Sequence, residues 1–460
     1  MLLPMKHAIV GSGPCGASAA LLLLRAGHQV ALFDVNSDSS LEESNLGSSL
    51  KLLDGSSAPY DIEQILRIRN GDVAVAFYRS KVLGGFSNVW GATWGPQESL
   101  DSPEWQKHHE VVTELLKEDD FFSIEPNRNC DCLNFLETKV YPSSLSEEFK
   151  GGKTPLAVNP TICECVDSGR SACTHGSVWN SKAMIEKCRK FQSFEYHSGK
   201  DVTMVKSAAG QLVVSGDGFT LEYESVILAA GSAGTIEILL NSLPNSPELS
   251  VQDTLMGYIP LLRFRLRKNH EGAFAFSQYR FDFRFGREDL AAHTQLYADS
   301  EIYLDRIVGK LPGVLRMLFV PFAKALTKHL AIGIIYLDAK ASPKLTFSRT
   351  GTPRELNATF SQPRFGKTGL LIRLWRLYRT LGFLPVLPAI AWSGPGESYH
   401  LGALGDQIID EFGSVEEIKG LYVAGSLALP KLEPGPITHS AMAQSSRLIE
   451  RILHQNLERT

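Results

Sequence analysis

Two histidines near the C-terminal end of the chain stand beside glycine and proline turns and could take part in proton transfer. His400 lies in GESYHLGALGD, and His439 lies in PGPITHSAMAQ, 39 residues further on. An imidazole has a pKa close to neutrality, so it can remove a proton from a hydroxyl and later release it. The chain has 12 histidines, and a single histidine is more often structural than catalytic. The other motifs must therefore indicate which chemistry these two side chains would serve.

The first forty residues predict a nucleotide-binding unit. The segment HAIVGSGPCGASAALLLLRAGHQVALFD reads as a strand, a glycine turn, a helix and a second strand. Gly11, Gly13 and Gly16 form a G-x-G-x-x-G pattern, with Pro14 inside it; these glycines permit a tight turn, close approach of a pyrophosphate and close helix packing. Asp34 follows Gly16 by 18 residues, near the spacing expected for an acid that binds the adenosine ribose. The segment predicts dinucleotide binding and leaves FAD and NAD both open.

The segment KVLGGFSNVWGATW, residues 81–94, favours a flavin. Gly84 and Gly85 lack side chains, so their backbone can lie against a planar ring. Side chains that could bond to the ring or enclose it follow directly: Ser87, Asn88, Trp90 and Trp94. We therefore predict that this loop covers the isoalloxazine.

These segments resemble, in this order, the glucose–methanol–choline (GMC) family of FAD-dependent oxidoreductases. VILAAGSAGTIEILLNS, with Gly231 at its turn, is similar to the family's second signature. GLYVAGSLALP, with Gly425 and Ser426, is similar to the last strand of the flavin domain, near the ribityl chain. The resemblance extends to GMC-like proteins of bacterial polysaccharide-type gene clusters. Together these matches cover more than half of the chain.

The resemblance also implies a fold and a division into domains. It implies an α/β fold in which a Rossmann-type FAD-binding domain, residues 1–242 and 391–460, contains an inserted sheet-based substrate domain, residues 243–390. Alternating segments such as GAFAFSQYRFDFRF and IGIIYLDA fall inside the insertion and predict strands.

In this family a histidine at the position of His400 lies at the reactive edge of the flavin. The resemblance implies that His400 removes the hydroxyl proton of an alcohol while a hydride passes to flavin N5. In the family a second residue, Asn or His, precedes the last helix. If this chain is aligned on the proline of Gly435-Pro436, that position has no side chain. If it is aligned on the spacing from His400, the position is His439, which we favour. Val89 stands where related enzymes carry the histidine that binds flavin covalently, so we expect non-covalent FAD.

The predicted activity is oxidation of an alcohol group, with a sugar or a lipid-linked sugar as a candidate substrate. An oxygen-using oxidase and an acceptor-linked dehydrogenase both stay open. No second nucleotide motif is visible, which disfavours a reductase that uses NAD(P)H. A flavin-dependent isomerase or desaturase is an alternative. A flavin-bound protein without turnover is another, since the Asn-Pro pair is missing.

Three cysteines, Cys163, Cys165 and Cys173, form a weak candidate metal site. They resemble an altered form of the C-x2-C-x2-C-x3-C segment of GMC-like proteins from polysaccharide-type clusters, which would bind an iron–sulfur cluster or zinc. Either group needs about four ligands, so Cys130 or Cys132 would have to complete the set. We favour reduced loop cysteines and predict no metal.

Composition bounds the remaining functions. The 460 residues include 46 basic and 50 acidic side chains, for a net charge of −4, which gives no indication of a nucleic-acid partner. The N-terminal segment lacks a secretory signal pattern, and the seven cysteines suit a reducing compartment, so we expect a cytoplasmic protein. Two apolar segments with interleaved basic residues, 311–330 and 368–388, are consistent with core-facing helices or with peripheral membrane contact.

Overall fold

The computed structural model describes residues 5–36, 62–70, 73–88, 90–97, 100–118, 120–121, 147–159, 161, 177–245, 247–263, 275–298, 329–349, 356–361, 365–405 and 408–458. The α-helices in these ranges are α1 (Pro14–Arg25), α2 (Pro103–Lys117), α3 (Lys182–Cys188), α4 (Gly231–Ser242), α5 (Lys367–Thr380) and α6 (Thr438–Glu458). The strands are β1 (Lys6–Val10), β2 (Gln29–Phe33), β3 (Ile62–Asn70), β4 (Val73–Ser80), β5 (Lys150–Lys153), β6 (Phe194–His197), β7 (Val202–Ala208), β8 (Gln211–Gly216), β9 (Phe219–Tyr223), β10 (Ser225–Leu228), β11 (Leu249–Asp253), β12 (Met256–Arg263), β13 (Ala275–Phe285), β14 (Leu290–Ala298), β15 (Leu330–Leu337), β16 (Lys344–Arg349), β17 (Leu356–Phe360), β18 (Phe383–Pro385), β19 (Ala391–Trp392), β20 (Leu401–Gly402) and β21 (Leu421–Val423).

A five-stranded parallel sheet in the order β21-β10-β1-β2-β6 carries the nucleotide unit. Its central strands are apolar runs because both faces are covered. Ile9 and Leu32 pack with α1, α2, α3 and α6 on one face. Ala8 and Val10 pack on the other face with α4 and the β7-β8-β9 sheet. The predicted α/β fold with a Rossmann-type unit is confirmed.

A large antiparallel sheet in the order β18-β12-β15-β14-β13-β5 forms the second layer of the molecule, and β19 also pairs with β12. Strand alternation gives this sheet two different faces. One face packs against α5 through a core that includes Phe281, Ile335 and Leu374. The other face carries a tyrosine-rich cluster: Met256, Tyr258, Tyr297, Ile332, Ile334 and Tyr336. The predicted sheet of the insertion is present, with β5 added from residues 150–153; the domain limits stay a prediction.

A smaller antiparallel sheet, β17-β16-β11-β20, connects these two parts. The short strand β20 pairs with the end of β11, where Asp253 lies opposite Leu401. This pairing fixes the backbone immediately after His400. The hairpin β3-β4 forms a separate two-stranded sheet.

The two apolar and basic segments have different outcomes. Residues 311–328 of the first segment lie outside the described residues. The second contains α5, which buries Leu370, Leu374, Leu377 and Tyr378 and leaves Ile372 and Trp375 exposed. Within the described ranges, no helix has both the length and the apolar character needed to cross a membrane. Peripheral membrane contact stays a prediction.

Candidate active site

The turn between β1 and α1 has glycines for two different reasons. A Cβ on Gly11, whose φ is +106°, would lie 2.4 Å from the carbonyl oxygen of Ala229, and a Cβ on Gly16 would lie 2.0 Å from that of Gly11. These two glycines therefore permit close packing of backbone on backbone. A Cβ on Gly13 would meet nothing within 4 Å. Gly13 directly precedes α1 and faces open space, so a pyrophosphate could approach both its backbone and the free N–H groups of the helix.

Asp34 lies just beyond the end of β2, at one end of the same groove. Its carboxylate accepts hydrogen bonds from the backbone N–H of Ser12, at 2.9 Å, and of Asn36, at 2.8 Å. Burial raises the pKa of Asp34, and these hydrogen bonds act in the opposite direction. Arg79 and Lys200 line the groove beside it. This end is suited to bind a ribose and its base.

One continuous cavity of about 390 Å³ connects this groove to the antiparallel sheet. Most of the cofactor-binding residues predicted from the sequence line it: Gly11, Gly13, Pro14, Asp34, Gly85, Ser87, Trp90, Gly231, Gly425 and Ser426. His400 lines the same cavity. The structure thus brings the predicted nucleotide turn, the residue 81–94 loop and one of the two predicted catalytic histidines to a single site.

The polar side chains of the residue 84–88 loop hold the loop in place. Ser87 donates to the carbonyl oxygen of Gly84 at 2.6 Å, and the Asn88 amide donates to two carbonyl oxygens of the same loop. The N–H of Gly84 donates to the Ser12 hydroxyl in the phosphate-binding turn. Gly84 and Asn88 lie behind the cavity wall. If this loop covers the isoalloxazine ring, as predicted, the contacts would come mainly from the backbone of Gly85 and from the residues next to it.

The backbone of His400 is held by a buried carboxylate. The N–H of His400 donates to the Ser398 hydroxyl at 3.0 Å, and that hydroxyl donates to Asp253 at 2.8 Å. Asp253 also accepts from the N–H groups of Gly396 and Thr254. Burial raises the pKa of Asp253 to about 6, which the three donated hydrogen bonds oppose. Asp253 therefore positions the turn that carries His400.

The His400 ring is buried and stacked against the antiparallel sheet. It stacks on Tyr336 with ring centres 5.1 Å apart and planes 6° apart. Its Nδ1 is buried and has no hydrogen-bond partner among the described residues. Burial, with a smaller effect from nearby His293, lowers the pKa of His400 to about 4, while a hydrogen bond to the Gly435 carbonyl acts in the opposite direction. The ring is therefore neutral at pH 7; His400 lines the cavity, and one of its ring nitrogens is unsatisfied.

His439, the second predicted catalytic residue, lies in a different environment. Its ring stacks on Trp94 at 4.4 Å and lies 4.6 Å from the ring of His109. Its Nε2 lies 3.2 Å from the Thr113 hydroxyl. Burial lowers the pKa of His439 to about 3. His439 is outside the cavity lining, so the structure does not bring it together with His400.

Three tyrosines that sequence reasoning did not select form the wall opposite the nucleotide turn: Tyr258, Tyr297 and Tyr336. They come from β12, β14 and β15 of the antiparallel sheet. Their strands show alternating apolar residues, and this signal places them on one face of a strand. It does not tell which face meets a cavity.

The metal prediction concerns residues outside the described part of the chain, since Cys130, Cys132, Cys163, Cys165 and Cys173 all lie there; so does Val89. Among the described residues, no group of three or more His, Cys, Asp or Glu side chains is arranged to hold a metal ion. Cys15 and Cys188 are free thiols. Burial raises the pKa of Cys15 to about 11, which keeps this thiol beside the phosphate-binding turn protonated.

A glycine turn of the dinucleotide-binding type and an antiparallel sheet line one cavity, which defines a two-part α/β fold. The chain belongs to the pyridine nucleotide-disulphide oxidoreductase family, whose model matches residues 5–248. It is thus an FAD-dependent oxidoreductase, and the predicted FAD cofactor is confirmed at this level. The match ends before the strands that carry the tyrosines and before His400.

The whole chain is also similar in fold to the crystal structure of pyridoxine 4-oxidase from Mesorbium loti. The similarity has a TM-score of 0.57 and a sequence identity of 14%, and it covers 98% of this chain and 99% of that chain. No curated protein sequence matches the chain. The predicted α/β fold with a Rossmann-type FAD-binding unit is confirmed, while the resemblance to the GMC family and to proteins of polysaccharide clusters stays a prediction.

Proposed function

We propose that the protein oxidises an alcohol group and that His400 is the base that removes the hydroxyl proton. The observation that carries this proposal is the position of His400 in the lining of the FAD cavity, together with a buried ring nitrogen, Nδ1, that has no partner among the described residues. A buried polar atom without a partner costs about 1–3 kcal/mol unless a ligand satisfies it. A substrate hydroxyl would satisfy it by donating its hydrogen to Nδ1.

The residues around the cavity suit this reaction. FAD, when bound, supplies the hydride acceptor. His400 is neutral at pH 7 because its pKa is lowered to about 4, so it is ready to take a proton without first losing one. Asp253 and Ser398 fix its turn, and Tyr336 fixes the plane of its ring. The tyrosine face excludes water from the place where the carbinol would lie.

We infer that the substrate is a primary or secondary alcohol carried on a ring. Tyr258, Tyr297 and Tyr336 offer ring faces and hydroxyl groups, which bind either a flat aromatic ring or a sugar. The fold neighbour supports the aromatic option, because its name describes oxidation of pyridoxine. Sugars and lipid-linked sugars remain in the proposal as the second substrate class, and the electron acceptor is open.

The test uses purified holoprotein, which should be yellow. Anaerobic mixing with pyridoxine, hydroxybenzyl alcohols and a panel of sugars should bleach the flavin with at least one of them. His400→Ala should keep the colour and lose about 10²–10⁴-fold in the reduction rate, the range for general-base catalysis. His454→Ala is the matched control, since that histidine is exposed on α6 far along the chain from the cavity residues.

Two results would contradict the proposal. A His400→Ala protein that is reduced as fast as the unaltered protein would show that another group takes the proton. A protein that no alcohol or sugar reduces would favour an isomerase, a desaturase or a flavoprotein without turnover.

A further inference from the structure

A row of polar side chains on the antiparallel sheet leads from the cavity to a carboxylate at the surface. His293, Gln295 and Tyr297 alternate along β14 and therefore share one face. Asp282 lies directly opposite His293 on β13. The Tyr297 hydroxyl lies 2.5 Å from Gln295 Oε1, Gln295 Nε2 lies 3.1 Å from His293 Nε2, and His293 Nδ1 lies 2.7 Å from Asp282 Oδ1. These four residues form a continuous hydrogen-bonded chain.

The carboxylate sets the direction of every hydrogen bond in this chain. An ionised Asp282 can only accept, so a neutral His293 donates through Nδ1 and its Nε2 becomes an acceptor. The pKa of Asp282 is lowered by His293 in spite of burial, which favours this ionised form. Gln295 must then donate through Nε2, which turns its Oε1 toward Tyr297. The Tyr297 hydroxyl donates to that oxygen. The Thr93 hydroxyl is a hydrogen-bond partner of Tyr297 on the protein side, and the second lone pair of the Tyr297 oxygen can accept a hydrogen bond from the cavity.

A glycine makes room for this chain. A Cβ on Gly435 would lie 3.1–3.4 Å from three atoms of the His293 ring, and its φ of +118° also disfavours other residues. When the chain is aligned with the family on Pro436, Gly435 stands where the family has its second site residue. This chain therefore has no side chain at that position. The volume beside it is occupied by His293, and the polar group that this chain presents to the cavity is Tyr297.

We propose that Tyr297 is a specificity-determining residue that accepts a hydrogen bond from a second donor group of the substrate, with Gln295, His293 and Asp282 as positioning residues. The inference rests on the proposed function, in which the reacting hydroxyl gives its only hydrogen to His400. Tyr297 must therefore recognise another O–H or N–H on the same molecule. The preferred substrate is thus a ring that carries the alcohol and a neighbouring hydroxyl or N–H donor.

Binding measured without turnover separates this inference from the proposed function. His400→Ala holoprotein is titrated with 2-, 3- and 4-hydroxybenzyl alcohol and with the corresponding methoxybenzyl alcohols, and binding is followed through the flavin absorption spectrum. Each pair differs only in the phenolic donor. At least one hydroxyl compound should bind about two- to tenfold tighter than its methyl ether, as expected for one net hydrogen bond.

Adding Tyr297→Phe should abolish that preference. Tyr422→Phe is the matched control, because it removes a phenol hydroxyl that also donates to a glutamine oxygen, that of Gln455, outside the cavity. Asp282→Asn should reduce the preference although Asp282 lies about four strand residues, roughly 13 Å, from Tyr297. Because the chain couples the two sites, Asp282→Asn should have no further effect once Tyr297 is Phe.

The inference is overturned if Tyr297→Phe keeps the preference, if Asp282→Asn and Tyr297→Phe act additively, or if none of the six compounds perturbs the spectrum. If Tyr297→Phe does not retain FAD, the Asp282→Asn protein carries the test, and an unchanged preference there also overturns it. Failure of the proposed function is a separate result, seen as the absence of flavin reduction in the protein with His400 intact.

Discussion

Two alanine substitutions three residues apart should have opposite effects on the nucleotide turn. Gly13→Ala introduces a methyl group into open space, and the backbone of Gly13, with φ −62° and ψ 176°, suits alanine. Gly16→Ala introduces one 2.0 Å from the carbonyl oxygen of Gly11. Gly16 is therefore required by the fold, whereas Gly13 is required only by what binds above it.

The structure gives the magnitudes. Separating the new methyl at position 16 from the carbonyl of Gly11 needs a backbone shift of about 1 Å, and overpacking of this kind costs about 1–3 kcal/mol or more. At Gly13, alanine should leave the apoprotein as stable as before or raise its stability by about 0.4–1 kcal/mol, because the unfolded chain loses conformational freedom. The same methyl blocks one backbone contact to a charged phosphate, about 1.5–3 kcal/mol. FAD should thus bind about 10- to 150-fold more weakly.

Two measurements on the apoproteins check this reasoning: thermal unfolding, and FAD titration followed by flavin fluorescence. Gly13→Ala should keep the melting temperature and lose affinity, whereas Gly16→Ala should lose melting temperature before any cofactor is added. A Gly13→Ala protein that binds FAD as tightly as the unaltered protein would refute the placement of the pyrophosphate. A Gly16→Ala apoprotein of unchanged stability would refute the packing of the turn.

Two further predictions concern residues behind the cavity. Burial raises the pKa of Asp253 to about 6 from 3.8, so its contribution favours folding at low pH, and the free energy of unfolding should fall by up to about 3 kcal/mol as pH rises from about 4 through 6. The free energy of unfolding in urea, measured across this pH range, should show this fall in the unaltered protein and not in Asp253→Asn. Parallel pH curves for the two proteins would refute the prediction. His439→Gln should lower the free energy of unfolding by about 1–2 kcal/mol through loss of stacking on Trp94, with flavin reduction changed less than about twofold. A loss in rate as large as that of His400→Ala would instead support the catalytic role predicted from the sequence.

The sequence predicts the nucleotide half of the site well because its signals are local. Gly11, Gly13 and Gly16 act within one turn, and Asp34 comes at the end of the next strand, so their spacing alone specifies where they meet. His400, which the sequence selects through its family-like segment GESYHLGALGD, also lines the cavity; its catalytic role stays a prediction. Part of the residue 81–94 loop, including Gly85, Ser87 and Trp90, lines the cavity. Asn88 does not, and its amide bonds within its own loop.

The substrate half could not be predicted in the same way because it depends on pairing between distant strands. Tyr297 and Tyr336 share one face only because β14 and β15 pair with His293 opposite Tyr336. Shifting this register by one residue would turn one of the two rings to the opposite face. His439 is selected by its distance along the chain from His400. That distance does not indicate in which direction the His439 side chain points. At the start of α6 its ring turns toward Trp94, away from the cavity.

The cofactor groove, His400 and the tyrosine face are each supported by a different part of the fold. FAD binding depends on β1, β2 and α1, and the position of His400 depends on Asp253 and the pairing of β11 with β20. The tyrosine face belongs to a third set of strands, whose other face is packed independently against α5. Because the three supports are separate, side chains on the tyrosine face other than Tyr336, which stacks on His400, can change without disturbing either the cofactor groove or the base. Substrate choice is thus expected to reside in that face. The chain ending at Tyr297 is its most constrained element, because three successive hydrogen bonds join its four members and the direction of each depends on the one before it.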